Sequence, residues 1–215
     1  MLDPNTPAGR ALVSLSTSQR SFLANLPKVE LHAHLNGCIP LSCLEALARE
    51  FDPSDNFDIV DSIQETISLL ASGPAFDDIR DWFGLFPAIY ALTSTPAAIQ
   101  KATKAVLNFF LDPNDGAPPQ CSYIELRTTP RATPHMTRLQ YLSTVLNEVS
   151  RRDNAALIVS VDRRMGLDVA KECVELAIAL RDQGLPVVCY VHFPPHDPGL
   201  TSHFRSASIY VVIPR

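Results

Sequence analysis

Two histidines, His32 and His34, are the residues of this chain whose type and spacing most directly suggest chemistry. They end an apolar stretch at positions i and i+2, and alternate residues of a β-strand point to the same face of a sheet. Two imidazoles that converge in this way can bind one zinc ion through nitrogens at about 2.0–2.1 Å. The pair therefore predicts a metal-dependent hydrolase. The alternative is that both are ordinary histidines near a strand end, because His-x-His alone is a weak signal.

The residues around the pair predict a short strand with two different faces. The apolar face would consist of Val29, Leu31 and Ala33. The polar face would consist of Glu30, His32 and His34. Asn36-Gly37 then ends the strand. This arrangement would place both imidazoles at the end of the strand, on its polar face.

Composition limits the class of protein. The chain has 215 residues, of which 46% are hydrophobic, enough for one domain with a sizeable core. A net charge of −5 argues against a protein that coats nucleic acid or lies on a membrane. The N-terminus lacks the pattern of a secretory signal, and the five cysteines are scattered, as in proteins with reduced thiols. We expect a cytoplasmic monomer that binds neither nucleic acid nor a membrane.

Hydrophobic periodicity predicts strands that alternate with helices. After the His-x-His strand, strands are expected over residues 121–127, 155–161 and 187–191. Helices are expected over residues 11–25, 40–50, 61–71, 76–92, 95–111, 138–150 and 167–183. Thr95 is the predicted N-cap of one helix, and Gly184 is predicted to end another.

This order of elements predicts an α/β fold with parallel strands. In such folds, polar residues just past the C-terminal ends of strands are the ones that carry chemistry. Here those positions hold the histidine pair, residues 127–131 and residues 162–164. The alternative is that the charged residues among them are solvated loop residues or surface ion pairs.

Residues 27–37 (PKVELHAHLNG) resemble the N-terminal signature of the adenosine/AMP deaminase family. Asn36 replaces the Asp that is usual in adenosine deaminases proper, and this is similar to the adenosine deaminase-like branch, the N6-methyl-AMP deaminases. Residues 123–131 (YIELRTTPR) and 161–164 (VDRR) are similar to the same branch. The resemblance covers about residues 26–188.

The resemblance implies a (β/α)8 TIM barrel of the metal-dependent hydrolase type. This chain would hold its N-terminal half, with about four parallel strands and extra N-terminal helices. One zinc ion is implied for the full barrel, and His32 and His34 match the first two of its ligands. The other two, a later histidine and a late aspartate, would follow the fourth strand, so the ligand set here is incomplete.

The resemblance also implies contacts with a purine nucleotide. The implied substrate-binding residues are His34, Asn36, Tyr90, Thr128, Thr129, Pro130, Arg131 and Asp162. Residues 128–131 would lie near the phosphate, and a guanidinium beside hydroxyls and amides suits a phosphate. Tyr90 is a departure, because this branch commonly has a histidine in that pocket helix.

The implied reaction is zinc-dependent hydrolytic deamination at purine C6, from N6-methyl-AMP or a related AMP-type nucleotide to IMP. Zinc lowers the pKa of its bound water, and a glutamate protonates the purine. That glutamate would also follow the fourth strand, so we assign no catalytic residue. We expect this truncated chain to be weakly active or inactive. The alternatives are a catalytically dead half-barrel that acts through partner binding and another His-x-His barrel such as a phosphoesterase, against which residues 127–131 argue.

The chain divides into three segments. Residues 1–25 are a tail and helix, residues 26–188 a partial barrel domain, and residues 189–215 an aberrant tail. The tail departs from the family pattern at Cys189, and we expect it to be disordered or out of frame. It contains His192 and His196, but Pro194 and Pro195 between them exclude a regular helix that could present both to a metal.

Overall fold

The structure is a computed structural model that describes residues 7–52, 59–73, 79–114, 116–162 and 165–191. In these residues, four parallel strands form one sheet in the order β1-β2-β3-β4. The strands are β1 (Val29–His34), β2 (Tyr123–Thr128), β3 (Ala155–Val161) and β4 (Val187–Val191). The predicted α/β class with about four parallel strands is confirmed, whereas the assignment of these strands to the N-terminal half of a TIM barrel stays a prediction.

Helices precede the first strand and connect each strand to the next. Before β1 come α1 (Pro7–Ser14) and α2 (Thr17–Asn25). Between β1 and β2 come α3 (Leu41–Glu50), α4 (Ile59–Ala71), α5 (Ile79–Phe83), α6 (Phe86–Leu92) and α7 (Pro96–Leu111). The last two connections contain α8 (Arg138–Val149) and α9 (Leu167–Asp182). No helix in the described part of the chain is both long and apolar enough to cross a membrane.

Two predicted helices are each divided in the structure. The helix expected over 11–25 breaks at Ser16, which caps α2 in a reciprocal capping box with Gln19. The helix expected over 76–92 breaks at Gly84, where backbone bonds of the i→i+3 type close a turn before α6. Pro87 lies in the first turn of α6, a position where the missing N–H costs nothing. The prediction of N-cap Thr95 is confirmed, since its side chain accepts from Ala98 N at 3.2 Å.

One face of the sheet is covered by helices and forms the core. Leu126, Leu157 and Val159 on this face are fully buried. They belong to one apolar cluster with side chains of α7 and α8, among them Val106 and Tyr141. Because polar side chains here would lose their hydration, chemistry has to be placed on the other face or at the strand ends.

The strict alternation predicted for β1 is wrong. Glu30 pairs with Ile124 and Ala33 with Leu126, so β1 advances by three residues while β2 advances by two. This β-bulge puts Glu30 beside a buried residue of β2, whereas His34 pairs with Arg127. Of the predicted apolar face only Ala33 is buried, since Val29 and Leu31 are more than half exposed.

Candidate functional site

The polar strand ends meet at one edge of the sheet because all four strands are parallel. His34, the last residue of β1, pairs with Arg127, and Arg127 pairs with Ile158 of β3. Ser160, two residues past Ile158, faces the same way. His34, Glu125, Arg127 and Ser160 thus form a polar face, opposite the face that the helices cover.

The two histidines lie side by side. Their ring centroids are 5.2 Å apart with an interplanar angle of 51°, and both residues are exposed. The backbone N–H of His32 donates to Glu30 Oε1 at 2.8 Å, a contact within the bulge. The bulge therefore brings His32 beside His34 although the strand does not alternate regularly.

Arg127 contacts the first histidine directly. Its Nη1 lies 2.9 Å from Nε2 of His32. A guanidinium has only donors, so Arg127 donates and the Nε2 lone pair accepts. It follows that the ring proton of neutral His32 is on Nδ1.

His34 is held in its neutral form. Its pKa lies below the ordinary value of 6.5, first because part of the ring is shielded from water, and then because Arg127 and His32 are nearby positive or potentially positive groups. Neutral imidazole is the form that binds metal ions. The electrostatics of the site thus favour a ligand rather than a cation at this position.

The pair fits a metal in donor type but not in number. Two exposed imidazoles are nitrogen donors of the type that zinc binds, although the Nε2 lone pair of His32 accepts from Arg127 in this arrangement. A closed zinc site requires four ligands and a catalytic site three. In the described ranges, no three His, Cys, Asp or Glu side chains converge on one point.

Asn36 follows the histidines in a short 3-10 turn, Leu35–Gly37. Its Oδ1 is buried and accepts no hydrogen bond from the described residues. Buried acceptors are normally satisfied, so this amide is suited to accept a hydrogen bond from a bound group. Ser160 Oγ on the polar face is buried in the same unsatisfied way.

Residues 128–130 are placed unequally. The Thr128 side chain is buried on the helix-covered side, and its hydroxyl lies 2.6 Å from the hydroxyl of Tyr141 in α8. Thr129 is half-buried and Pro130 buried in the loop that follows. The hydroxyl of Thr128 thus has a partner within the core, and its role in substrate binding stays a prediction.

Arg131 and Tyr90 are brought together. The guanidinium carbon of Arg131 lies 4.2 Å from the centre of the Tyr90 ring, a cation–π contact. Arg131 also donates to the Tyr90 carbonyl at 3.3 Å and to the Thr93 hydroxyl at 2.9 Å. These bonds attach the loop after β2 to the C-terminal end of α6, where a cation is favoured by the helix dipole.

Asp162 comes directly after β3 and is half-buried. Its carbonyl accepts from Met165 N at 2.9 Å, which closes the turn at the strand end. The structure therefore places two groups at the strand-end edge, one around the histidines and Arg127, the other around Arg131 and Tyr90. Sequence reasoning missed the contact of Arg127 with His32 and the orphaned Ser160. A signal for both was available in the sequence: Arg127 follows Leu126 and Ser160 follows Val159, so each would lie on the face opposite a buried apolar residue.

Comparison with known proteins gives clear relatives. No protein-family model matches the chain. The human N6-methyl-AMP deaminase is 35% identical over 164 residues, which are 73% of this chain and 42% of the human protein. The chain thus spans less than half the length of that relative.

Solved structures agree with this similarity. An Arabidopsis adenosine deaminase-like protein complexed with GMP superposes with a TM-score of 0.63 and 28% identity, over 81% of this chain and 52% of that chain. The same Arabidopsis protein complexed with IMP gives the same values. A bacterial amidohydrolase solved with bound Zn superposes with a TM-score of 0.56 over 86% of this chain and 49% of its own; at 20% identity it shows the fold alone.

Proposed function

Since this chain belongs to the adenosine deaminase-like family, we propose that its strand ends form the first part of a purine nucleotide deaminase site. The observation that carries the proposal is the exposed pair His32 and His34 at the C-terminal end of β1, with rings 5.2 Å apart. Relatives support the substrate class, because one is named for N6-methyl-AMP and others are complexed with GMP and IMP. N6-methyl-AMP, hydrolysed to IMP, is the proposed substrate.

His32 and His34 are the proposed zinc ligands. A zinc ion bound there would supply Lewis-acid activation of water for attack at purine C6. The lowered pKa of His34 keeps its lone pair available, and Arg127 orients the ring of His32. Both proposed ligands lie on one strand, so the site differs from zinc sites in which two histidines lie on one helix.

Nucleotide contacts are proposed for the residues beside the pair. Asn36 Oδ1 is an available acceptor, and Asp162 at the end of β3 lies at the same edge of the sheet. The loop of residues 129–131 would face the phosphate, with Arg131 already oriented by Tyr90 and Thr93. Charge-assisted donors of this kind are the usual partners of a phosphate.

We assign no general acid to the described residues. No three His, Cys, Asp or Glu side chains of the described residues could hold a metal ion together, and we propose that the glutamate, third histidine and late aspartate implied by the family resemblance have no counterpart among these residues. General-acid help is typically worth about 10²–10⁴-fold in rate. We therefore expect the 215-residue chain to bind the nucleotide but to be weakly active or inactive in its hydrolysis.

A second candidate function is binding of another polypeptide by a catalytically dead half-barrel. One observation favours it: an apolar patch at the start of the fold is exposed. Phe22 and Val29 are 65% and 59% exposed, and no residue of α2 is buried. We use the name apolar patch for the exposed apolar side chains of this stretch of chain, which are Phe22, Leu23, Leu26, Val29 and Leu31. Exposed apolar surface of this kind marks interaction sites.

The division into residues 1–25, 26–188 and 189–215 remains our proposal, as do cytoplasmic location and a monomeric state. The described part of β4 continues to Val191, three residues past the proposed boundary. Residues 192–215, with His192 and His196, lie outside the described residues.

Isothermal titration of the 215-residue chain with Zn²⁺ and then with IMP tests the deaminase proposal. We expect weak zinc binding, and IMP binding that is lost on changing Asn36→Ala. The double variant His32→Ala/His34→Ala should lose zinc binding, while His135→Ala, a histidine of the exposed loop before α8, should keep it. Zinc binding that survives the double variant would refute the ligand assignment. Tight one-to-one binding would contradict the half-barrel alternative.

A further inference from the structure

The hydroxyl of Ser160 is a buried polar group that the proposed function does not use. Its Oγ is shielded from water and has no hydrogen-bond partner among the described residues. Buried hydroxyls in folded proteins are nearly always hydrogen-bonded, because the loss of their hydration is otherwise uncompensated. An orphaned hydroxyl on the face of a candidate ligand site is therefore a candidate contact for the ligand.

Ser160 lies on the polar face of the sheet, one row beyond His34. His34 pairs with Arg127 and Arg127 with Ile158, so these three residues form a row across β1, β2 and β3. Ser160 comes two residues after Ile158, and Asn36, whose Oδ1 is also orphaned, comes two residues after His34. Because β2 lies between them, the ends of β1 and β3 are two strand spacings, or about 9–10 Å, apart.

This separation limits the kind of ligand that can contact both strand ends. A phosphate is too small to span it, whereas a purine with its ribose is an extended group with hydrogen-bonding atoms along its length. Beside Ser160 on the polar face is Ile158, which is buried but does not belong to the apolar cluster that the helices cover. A neutral hydroxyl next to an apolar side chain suits a base or a ribose better than it suits a charged phosphate.

The proposed phosphate contact lies at a different place. Arg131 is attached to the C-terminal end of α6, where it donates to the Tyr90 carbonyl and the Thr93 hydroxyl. Ser160 is on β3, on the far side of β2 from β1. Its side chain is only partly buried as a whole, so rotation about the Cα–Cβ bond can turn the hydroxyl toward the open side of the face.

We propose that Ser160 is a specificity-determining residue that hydrogen-bonds the nucleoside part of a bound purine nucleotide. Without ligand the hydroxyl is orphaned, and the ligand supplies the partner that the protein lacks. The hydroxyl therefore contributes to binding and not to the stability of the free protein. This inference rests on the proposed function for the identity of the ligand.

Ser160→Ala removes the hydroxyl and leaves the strand in place. The loss of one hydrogen bond to a neutral group should weaken affinity by roughly 5- to 20-fold. We expect this loss for both IMP and inosine in isothermal titration of the 215-residue chain, because both ligands contain the nucleoside. The urea midpoint of unfolding without ligand should not fall, because no bond within the protein is lost.

Ser122→Ala is the matched control, because it removes a hydroxyl that has a partner. Ser122 precedes β2 at the opposite end of the strands and donates to the Lys28 carbonyl at 2.9 Å. This variant should lower the urea midpoint and keep the parent affinity for both ligands. Ser160→Cys keeps the shape of the side chain but has only a weak donor, so it should lose affinity as Ser160→Ala does. It keeps the inference testable should Ser160→Ala fail to fold.

The inference and the proposed function fail in different ways. Parent affinity for both ligands in the Ser160 variants would overturn the inference and leave the proposed function intact. Weakened binding of IMP with unchanged binding of inosine would assign the hydroxyl to the phosphate and overturn it. A urea midpoint lowered as in Ser122→Ala would show a bond within the protein and overturn it as well. If the parent chain binds neither IMP nor inosine, the proposed function is refuted together with the inference that rests on it.

Discussion

At the scale of single residues, the strand end combines neutral imidazole with a nearby permanent cation. The pKa of His34 lies below its ordinary value because the ring is shielded from water and because Arg127 and His32 are close to it. The same Arg127 donates to His32. A bulge of one residue in β1 makes this possible, because regular alternation would have placed Glu30 on the polar face as well.

Arg127→Met should raise the pKa of His34 toward 6.5, although not fully, since shielding of the ring is the largest cause of its depression. The unfolded chain takes up a proton near 6.5 and the folded chain at lower pH, so this group lowers the free energy of unfolding as pH falls below 6.5. A proton NMR titration of His34 measures the shift. Arg181→Met is the control, because it removes the same charge at the C-terminal end of α9, where Arg181 contacts Asp182. An unchanged His34 titration would contradict the assigned role of Arg127.

Arg131→Ala should lower the free energy of unfolding by about 1–3 kcal/mol, because its bonds to Tyr90 and Thr93 hold the loop after β2 on α6. If the proposed phosphate contact is correct, the variant should also weaken binding of IMP far more than binding of inosine. Arg131→Lys keeps the charge but lacks the planar guanidinium. It should therefore recover only part of the lost free energy of unfolding and part of the lost IMP affinity. Equal losses for nucleotide and nucleoside would remove Arg131 from the phosphate site.

At the scale of elements, the hydrogen bond between Thr128 and Tyr141 joins the end of β2 to α8. Both side chains are buried, and their hydroxyls are 2.6 Å apart. The next three residues form the loop that carries Arg131. This buried pair therefore positions the loop, whether or not Thr128 itself contacts a ligand.

Tyr141→Phe and Thr128→Val should each lower the free energy of unfolding by about 1–3 kcal/mol, because each leaves one buried hydroxyl without its partner. The double variant should cost less than the sum of the two. Urea unfolding of the four proteins measures the coupling. If Thr128 bound nucleotide through its hydroxyl, Thr128→Val would weaken IMP binding more than Tyr141→Phe; equal effects would show that Thr128 acts through Tyr141.

At the scale of the whole molecule, helices bury one face of the sheet, whereas the elements at the start of the described chain, α2 and the beginning of β1, are exposed. The helix-covered face contains fully buried Leu126, Leu157 and Val159, whereas α2 contributes no buried residue. The apolar patch of α2 and β1 thus contributes little to the core of the described residues. Its exposure is the feature that most favours a macromolecular contact.

Phe22→Ser combined with Val29→Ser should change the free energy of unfolding by less than about 0.5 kcal/mol, as expected for exposed positions. It should also lower the fluorescence of a bound apolar dye. Leu142→Ser in α8 is the contrasting variant, because Leu142 is fully buried and its loss should unfold the chain. A large loss of stability in the double variant would show that the apolar patch is packed.

The sequence by itself determined the strands, the parallel order and the family. Periodicity located 155–161 and 187–191 without error, because buried parallel strands are continuous apolar runs bounded by turns. Motif spacing identified the histidine pair. Only the tertiary structure decided which atoms meet. The bulge in β1, the bond from Arg127 to His32 and the attachment of Arg131 to α6 depend on pairing between segments about 40 to 95 residues apart. Local patterns do not encode that register, because it is set by packing across the sheet.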